Sequence, residues 1–385
     1  MRLRSGHRTV VSDGVNQEPP TDKQLPIGSN FKYQSLRLPR FLKYVAIGLV
    51  GVYISVPAVL HYLPFVSREL IFLSSVHYPF ILDFNQPSKY NIEGVHNFKL
   101  TSTDDVQIGV WQVLPASLRG KGITGYNQFS DVLGDHRSIV IYLHGNSGTR
   151  ASYHRVLLYK ILSDLNHHVI AIDYRGYGDS TGTASAEGVI ADALTSWDWV
   201  KQRCGNSKVY IWGHSLGTAV ASALAKQLCL EGSCPTGLIL ESPFNSLHDA
   251  ALNHPLALPW RIFPYFDTLF TQPFMPMSQH FQSNRNLQHV KCPIHILHAE
   301  DDLIVPHKLG KVLYNDVKAT GSSELVKFHT FDGKMGHGHK YICEAEHFKD
   351  LLKKGSPLPT MVGLKWKKKK CGNVKKAISG LTKMF

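Results

Sequence analysis

The sequence of 385 residues has only six cysteines, and none of their spacings is typical of a metal site. There is no CxxC pair and no paired cysteine and histidine spacing of a zinc site. We therefore predict mostly unpaired thiols and no structural metal. Cys229 and Cys234 are close enough in sequence for a bridge in an oxidising compartment, but spacing alone does not establish its geometry.

Internal repeats and biased composition are also missing. The apolar fraction of 43% and the aromatic fraction of 10% are ordinary for a globular protein, which excludes wholesale disorder and allows a sizeable core. A chain of 385 residues is long enough for one large domain with appendages. Two or more equal domains are not favoured.

Acidic residues are absent from the end of the chain. Residues 353–385 contain ten lysines and no acidic residue, so this tail carries +10 of the formal net charge of +13. The positive charge is therefore not spread over a folded face, and no motif in the sequence is typical of base recognition. Both observations argue against nucleic-acid binding. The tail mixes lysine with residues such as Trp366 and Leu381, a pattern typical of a membrane-surface segment, and a solvated tail is the alternative.

One long apolar run lies near the beginning of the chain. Residues 1–40 are polar and contain four prolines, which predicts a flexible basic arm. Residues 44–66 are almost uninterrupted apolar and long enough to cross the about 30 Å of a bilayer core as a helix. We predict a transmembrane signal anchor over 41–66, because the run is too long and begins too late for a cleaved signal peptide.

More basic residues precede this apolar run than directly follow it, so the amino terminus is expected in the cytoplasm. With one span, the rest of the chain would lie in a lumen or outside the cell. No Asn-x-Ser/Thr sequence follows the span, so a usual mark of luminal proteins is missing.

From about residue 95, short apolar strands alternate with helical stretches. This order predicts an α/β domain over 67–352, with a mostly parallel central sheet and helices on both faces. Residues 243–290 interrupt the alternation with prolines and aromatic residues, and we interpret them as an inserted cap. The predicted helices are 152–165, 187–203, 216–229, 307–314 and 343–354. The predicted strands are a hairpin in NFKLTSTDDVQIGVWQVL, then SIVIYLHG, HVIAIDYRG, KVYIWGHS, GLILESPF, PIHILHAE and LVKFHTF.

The sequence GHSLG at 213–217 stands between an apolar strand and a helix. This is the context of a nucleophile elbow, in which flanking glycines permit a tight turn and the serine is exposed at the sheet edge. We predict Ser215 as the nucleophile of an α/β-hydrolase fold. A GxSxG sequence alone also occurs in ordinary strand-to-helix turns.

A serine nucleophile needs a base and an orienting acid, which follow in the order Ser, Asp, His in this fold. Asp302 follows the strand IHILHAE and is our candidate acid, with Asp301 and Glu300 as alternatives. The loop after the last strand offers His339 and His337 as bases.

Two further sets of residues complete the predicted site. The backbone N–H groups of Asn146, in the loop HGNSG, and of Leu216 are expected to form the oxyanion hole. The acyl chain is expected to lie among aromatic residues of the cap, namely Phe263, Phe266, Phe270 and Phe274.

The segments GHSLGT, HGNSGTR, DYRGYGDSTGT, LILESPF and HAEDDLIVP together resemble the α/β-hydrolase domain-containing protein 12 family. The resemblance covers roughly 38–352 and includes IFLSSVHYPFILDFNQP and VQIGVWQVLPA. It implies a triad of Ser215, Asp302 and His339, the last through the sequence HKYI at 339–342. It further implies an endoplasmic reticulum membrane lipase that faces the lumen and acts on lysophosphatidylserine and monoacylglycerol.

We therefore predict a membrane-anchored serine hydrolase that cleaves esters of monoacyl lipids through an acyl enzyme, with no metal or organic cofactor. Its partners would be the lipid substrate and the bilayer, through 44–66 and the basic tail. Two alternatives stay open: a deacylase of proteins or thioesters, and a catalytically silent membrane scaffold. The lysine-rich tail and the extra His337 depart from the family pattern.

Overall fold

The computed structural model describes residues 39–76, 82–262, 264–320 and 324–354. Most of the predicted arm and tail, and the predicted substrate contact Phe263, lie outside the described residues. The chain divides into two compact units, Met1–Val50 and Gly51–Phe385. In the first unit, residues 40–50 are helical and exposed. The second unit contains the sheet.

The described strands are β1 Val95–Thr101, β2 Gln107–Val113, β3 Ile139–Leu143, β4 His168–Asp173, β5 Val209–His214, β6 Gly237–Glu241, β7 Ile294–Ala299 and β8 Val326–Phe331. The described α-helices are α1 Arg40–Tyr62, α2 Pro64–Phe72, α3 Gly125–Asp131, α4 Tyr153–Asp164, α5 Ala186–Lys201, α6 Leu216–Leu230, α7 Leu247–Asn253, α8 Phe266–Thr271, α9 Met275–Ser278, α10 Ser283–Asn286, α11 His307–Ala319 and α12 Phe348–Lys354.

One eight-stranded sheet runs in the order β1-β2-β4-β3-β5-β6-β7-β8. β2 pairs antiparallel with β1 and β4, and every pairing from β4 to β8 is parallel. The predicted fold class, a mostly parallel sheet between helices, is confirmed. Because parallel strands point the same way, the residues that follow β3, β5, β7 and β8 gather at one edge of the sheet.

The strand residues divide between two apolar cores, one on each face of the sheet. Ile139 and Ile141 of β3 belong to the core that α5, α6 and α11 cover. Val140 and Tyr142 point to the opposite core, which α4 and α12 cover. The alternation follows from the two-residue period of a strand, and burial on both faces explains why these strands are apolar throughout.

The predicted helix boundaries differ from the structure mainly at the end of the chain. The helix expected at 307–314 continues to Ala319, and the helix expected at 343–354 begins only at Phe348. Ile342 and Cys343 instead lie in a short 3-10 turn and are buried in the core. Burial of Cys343 therefore overrides the helical pattern that the sequence predicts there.

α1 is long and apolar enough to cross a membrane by length and composition. It ends at Tyr62, and Pro64 opens α2, so the apolar run at 44–66 includes the end of one helix and the start of the next. Proline is favourable at the first position of a helix because the amide hydrogen it lacks would have no intrahelical partner there.

The cysteine pair left open by the sequence is bonded. A disulfide joins Cys229, near the end of α6, to Cys234. Cys204, Cys292 and Cys343 are free thiols and are buried.

Candidate active site

Ser215 stands between the last residue of β5 and the first residue of α6. Its backbone has φ 53° and ψ −120°, a conformation that costs energy for any residue with a side chain. Its N–H donates a hydrogen bond of 2.9 Å to the carbonyl of Glu241, in the neighbouring strand β6. The sharp turn is therefore tied to the sheet, and the serine is held at its edge.

The two glycines of GHSLG permit close crossing of strand and helix. A Cβ atom on Gly217 would lie 2.0 Å from the carbonyl oxygen of Leu143, and one on Gly213 would lie 2.3 Å from the carbonyl oxygen of Gly217. Both contacts involve backbone atoms, which cannot rotate away. Glycine is therefore required at both positions for α6 to pack against β3 and β5.

The predicted oxyanion donors lie in the same cavity as the predicted nucleophile. Asn146, Ser215 and Leu216 all line it. Leu216 is the first residue of α6, where a backbone N–H has no intrahelical partner. On the other side, Gly145 lets the loop approach closely, since a Cβ there would lie 3.0 Å from the Cβ of Ser215.

Arg155, in the first turn of α4, holds the loop that contains Asn146. Its guanidinium donates hydrogen bonds to the carbonyls of Thr149 and Ser147, and each bond is 2.8 Å long. Arg155 is buried. Sequence reasoning missed this positioning residue, because a basic residue in a helix is usually at the surface and nothing in the pattern marked it as buried.

Asp302 and His339 are in direct contact. Nδ1 of His339 lies 2.7 Å from Oδ2 of Asp302, and Oδ1 of Asp302 accepts hydrogen bonds from the N–H groups of Ile304 and Val305 at 3.0 and 2.9 Å. Both carboxylate oxygens are therefore engaged. A proton on Nδ1 of His339 leaves Nε2 of the ring free to accept another, which is the tautomer that a general base needs.

The alternatives considered for these positions have other contacts. Oδ2 of Asp301 accepts from the N–H of Gly338 at 2.9 Å, and Glu300 accepts from the N–H of Gly333 at 3.3 Å. His337 is buried, and its carbonyl accepts a hydrogen bond from the N–H of Tyr341. The structure thus brings together the same two residues, Asp302 and His339, that the sequence favoured.

Burial alone would raise the pKa of Asp302. Hydrogen bonds from His298 and His339 outweigh it and hold the pKa of this carboxyl well below its usual range. The carboxylate is therefore ionised at neutral pH and can stabilise a positively charged His339.

His298, in β7, is a second histidine in contact with the carboxylate of Asp302. Its Nε2 lies 3.3 Å from Oδ2 of Asp302 and donates to the carbonyl of Val305 at 2.9 Å. A Cβ on Gly310 in α11 would lie 2.2 Å from Nδ1 of His298, so this glycine makes room for the ring. No pattern in the sequence marks His298 for this role, since it is one of 21 histidines in the chain.

His214, the residue before the predicted nucleophile, is also part of the site. Its Nε2 donates to the backbone carbonyl of His339 over 2.9 Å. Burial holds the pKa of His214 well below its usual range, and repulsion from a charged His339 ring lowers this pKa further. The ring is therefore neutral at physiological pH and acts as a hydrogen-bond donor in the turn itself.

Ser215 lies at one wall of an apolar cavity of about 330 Å³. Three of the four predicted cap contacts, Phe266, Phe270 and Phe274, line this cavity, and the fourth, Phe263, lies outside the described residues. The other lining side chains include Leu247, Trp260 and Val305. A space of this kind suits a hydrocarbon chain whose polar end lies at Ser215.

Within the described ranges, no group of three or more His, Cys, Asp and Glu side chains could hold a metal ion. The expectation that no cofactor is needed stays a prediction.

Comparison with known proteins decides the family. Residues 138–262 match the family model described as the alpha/beta hydrolase fold. The chain is 42% identical to "Lysophosphatidylserine lipase ABHD12" of Gallus gallus, covering 93% of this chain and 98% of that protein. The chain belongs to the ABHD12 family. It is also 42% identical to the Mus musculus protein of the same name, over 81% of this chain and 79% of that one. "Protein ABHD12B" of Homo sapiens is 36% identical over 74% of this chain and 78% of that protein.

Solved structures agree on the fold of this ABHD12 family member. An esterase of Pyrococcus furiosus is similar with a TM-score of 0.51 and 20% identity, over 72% of this chain and 95% of that one. An alpha-beta hydrolase of Vibrio vulnificus has a TM-score of 0.56 and 18% identity, over 75% of this chain and 89% of that one. The family, the fold and the ester-hydrolase class predicted from the sequence are confirmed, while the roles of individual residues stay predictions.

Proposed function

We propose that this chain is a membrane-anchored lipase that cleaves the acyl ester of monoacyl lipids such as lysophosphatidylserine and monoacylglycerol. The names of its relatives support the substrate class. The observation that carries the proposal is the apolar cavity beside Ser215, since it accommodates a fatty acyl chain with its ester at the predicted nucleophile. Burial of a hydrocarbon chain against this apolar lining is favourable.

The contact between Asp302 and His339 supports the following mechanism. Nε2 of His339 takes the proton of the Ser215 hydroxyl as its oxygen attacks the ester carbonyl, and ionised Asp302 stabilises the imidazolium. The N–H groups of Asn146 and Leu216 donate to the oxyanion. His339 then protonates the departing alcohol, which leaves an acyl group on Ser215. Water, deprotonated by His339, attacks this acyl enzyme and releases the fatty acid.

The anchor and its topology are part of the proposal. The predicted anchor at 41–66, which contains most of α1, would cross the endoplasmic reticulum membrane with the arm at 1–40 in the cytoplasm. The catalytic domain at 67–352, with its cap at 243–290, would lie in the lumen. The excess of basic residues before α1 supports this orientation. The disulfide between Cys229 and Cys234 supports an oxidising compartment for the catalytic domain. The tail at 353–385 would contact the membrane surface.

The decisive experiment compares purified membranes that contain the wild-type protein or Ser215→Ala. Each is incubated with lysophosphatidylserine, a monoacylglycerol and a palmitoylated peptide, and the released fatty acid is measured. We expect release from the two lipids by the wild type and a loss of several orders of magnitude in the alanine variant. Cleavage of the peptide alone would assign the protein to the deacylases instead. Equal release by both proteins would exclude Ser215 as nucleophile.

The topology has its own test. Protease is added to sealed microsomes with and without detergent. We expect the catalytic domain to be protected until detergent is added, and digestion without detergent would place it in the cytoplasm.

A further inference from the structure

The second half of α1 packs against the segment between β6 and β7. Tyr53, Val56 and Leu60 recur at the spacing of one helical face. Leu60 is buried with Phe266 and Phe270, and Tyr53 and Val56 pack on the same cluster. The hydroxyl of Tyr53 donates to the carbonyl of Pro264 over 2.6 Å. This helix is therefore held against the cap by side chains and does not act only as a tether.

The same helical face borders the active-site cavity. Val56 and Leu60 line the cavity that also contains Ser215 and Leu216. Phe266 and Phe270 of α8 line the cavity as well. The cap and the helix that we propose to cross the membrane therefore both contribute to the lining of the cavity.

The cavity also reaches an apolar part of the protein surface. Leu70 in α2, Leu256 in the cap and Ile304 in the loop after β7 all line it, and they are 47%, 71% and 42% exposed. Exposed apolar side chains around a cavity mouth are unfavourable in water and favourable at a lipid surface. A hydrocarbon chain could therefore pass from the bilayer into the cavity beside α1 without crossing water.

We propose that the second half of α1 is a wall of the acyl-binding site, so that Val56 and Leu60 determine which acyl chains the enzyme accepts. This inference rests on the proposed function, because it concerns the substrate of that same site. Anchoring and chain selection would then be properties of one helix. A lipid in the membrane leaflet that surrounds the second half of α1 would present its chain to the face of α1 that already contacts the cap.

The volume available beside Val56 and Leu60 should set the preferred chain length. One methylene more or less in an apolar enzyme pocket changes selectivity by about tenfold or more. Val56→Trp would fill part of the cavity and favour shorter chains. Leu60→Ala would enlarge it and favour longer ones. Ile54→Trp is the matched control, since Ile54 lies on the same helix, is 63% exposed, and belongs neither to the lining of the cavity nor to the cluster with Phe266 and Phe270.

The test uses full-length protein in detergent micelles that contain octanoyl, oleoyl or lignoceroyl lysophosphatidylserine. Labelling with a fluorophosphonate, measured in parallel, counts the folded active sites of each variant. We expect Val56→Trp to lower the ratio of oleoyl to octanoyl kcat/KM by about tenfold. We expect Leu60→Ala to raise the ratio of lignoceroyl to oleoyl kcat/KM by about tenfold, the effect of one methylene in an apolar enzyme pocket. Ile54→Trp should keep both ratios.

The outcomes separate this proposal from the proposed function. If Ser215→Ala abolishes hydrolysis but Val56→Trp and Leu60→Ala keep the wild-type chain-length ratios, α1 is not a wall of the site and the inference is wrong. If Ser215→Ala hydrolyses all three lipids like the wild type, the proposed function itself fails. Should Val56→Trp give no labelled protein, the ratios of Leu60→Ala and Ile54→Trp decide the question.

Discussion

His214 donates a hydrogen bond from Nε2 to the backbone carbonyl of His339, and the two atoms are 2.9 Å apart. This bond ties the turn that presents Ser215 to the loop that presents the predicted base. The two segments are 125 residues apart in sequence, so nothing local fixes their distance. A buried neutral imidazole joins them, which makes His214 a positioning residue for His339.

The bond predicts a graded loss of activity at position 214. His214→Leu should lower kcat by about fivefold with little change in KM, because a net hydrogen bond contributes about 1 kcal/mol and its loss misplaces the base without touching the lipid. His214→Gln keeps a donor and should recover part of this loss. The measurement is steady-state hydrolysis of lysophosphatidylserine by the three proteins. A glutamine variant as impaired as the leucine variant would point to packing in place of the hydrogen bond.

The contact between Asp302 and His339 predicts a much larger effect. Asp302→Asn should reduce kcat/KM by about three to four orders of magnitude, because an amide neither holds the same tautomer of His339 nor stabilises its charged form. Asp301→Asn is the matched control, since Asp301 accepts only from the N–H of Gly338 at 2.9 Å among its described contacts and asparagine can accept there too. Comparable losses in the two variants would exclude Asp302 as the orienting acid.

The sequence predicted those parts of the site whose order the fold itself imposes. A glycine-flanked serine after an apolar strand predicts a turn at the sheet edge, and carboxylate and histidine after later parallel strands must reach the same edge. Ser215, Asp302 and His339 could therefore be named without coordinates. The structure brings Asp302 and His339 into contact, and the catalytic roles of all three residues stay predictions.

The supporting residues could not be found in this way. His214 acts through a hydrogen bond to a backbone atom 125 residues away, whereas Arg155 and His298 contact a carbonyl and a carboxylate that are eight and four residues away. Only packing of the two cores determines that these polar side chains are buried. The contact of Val56 and Leu60 with the cap was hidden for a related reason, since apolar residues in a lipid-crossing run look alike whether they face lipid or protein.

The disulfide provides a prediction on compartment. Cys229 and Cys234 should resist a membrane-permeant maleimide until the protein is reduced, whereas buried Cys204 should react only after denaturation, with or without reduction. Replacing both bonded cysteines by serine should lower the free energy of unfolding by about 2 kcal/mol, as expected for a short closed loop. Mass spectrometry of alkylated protein from microsomes checks the pairing. Free thiols at both positions would argue for a reducing compartment and against a luminal domain.

The buried carboxyl of Glu241 predicts how stability depends on pH. Burial raises the pKa of Glu241 to about 7, although the indole N–H of Trp212 donates to it over 2.9 Å. A raised pKa means that the folded state holds the proton more tightly than the unfolded one. The stabilisation is therefore complete below the ordinary carboxyl value and is lost as pH rises through about 7.

The matched variant is Glu241→Gln, which stays neutral and keeps an acceptor for Trp212. Between about pH 5 and about pH 8 the wild type should lose on the order of 3 kcal/mol of stability through this group, and the variant should lose none of it. Asp302 does not contribute to this slope, because its lowered pKa keeps it ionised across the whole range. Thermal unfolding of both proteins in the same detergent at several pH values measures the difference. Parallel Tm curves would mean that Glu241 does not change its protonation between the folded and unfolded states, whereas convergence at acidic pH and divergence at alkaline pH would assign the alkaline instability to this one carboxyl.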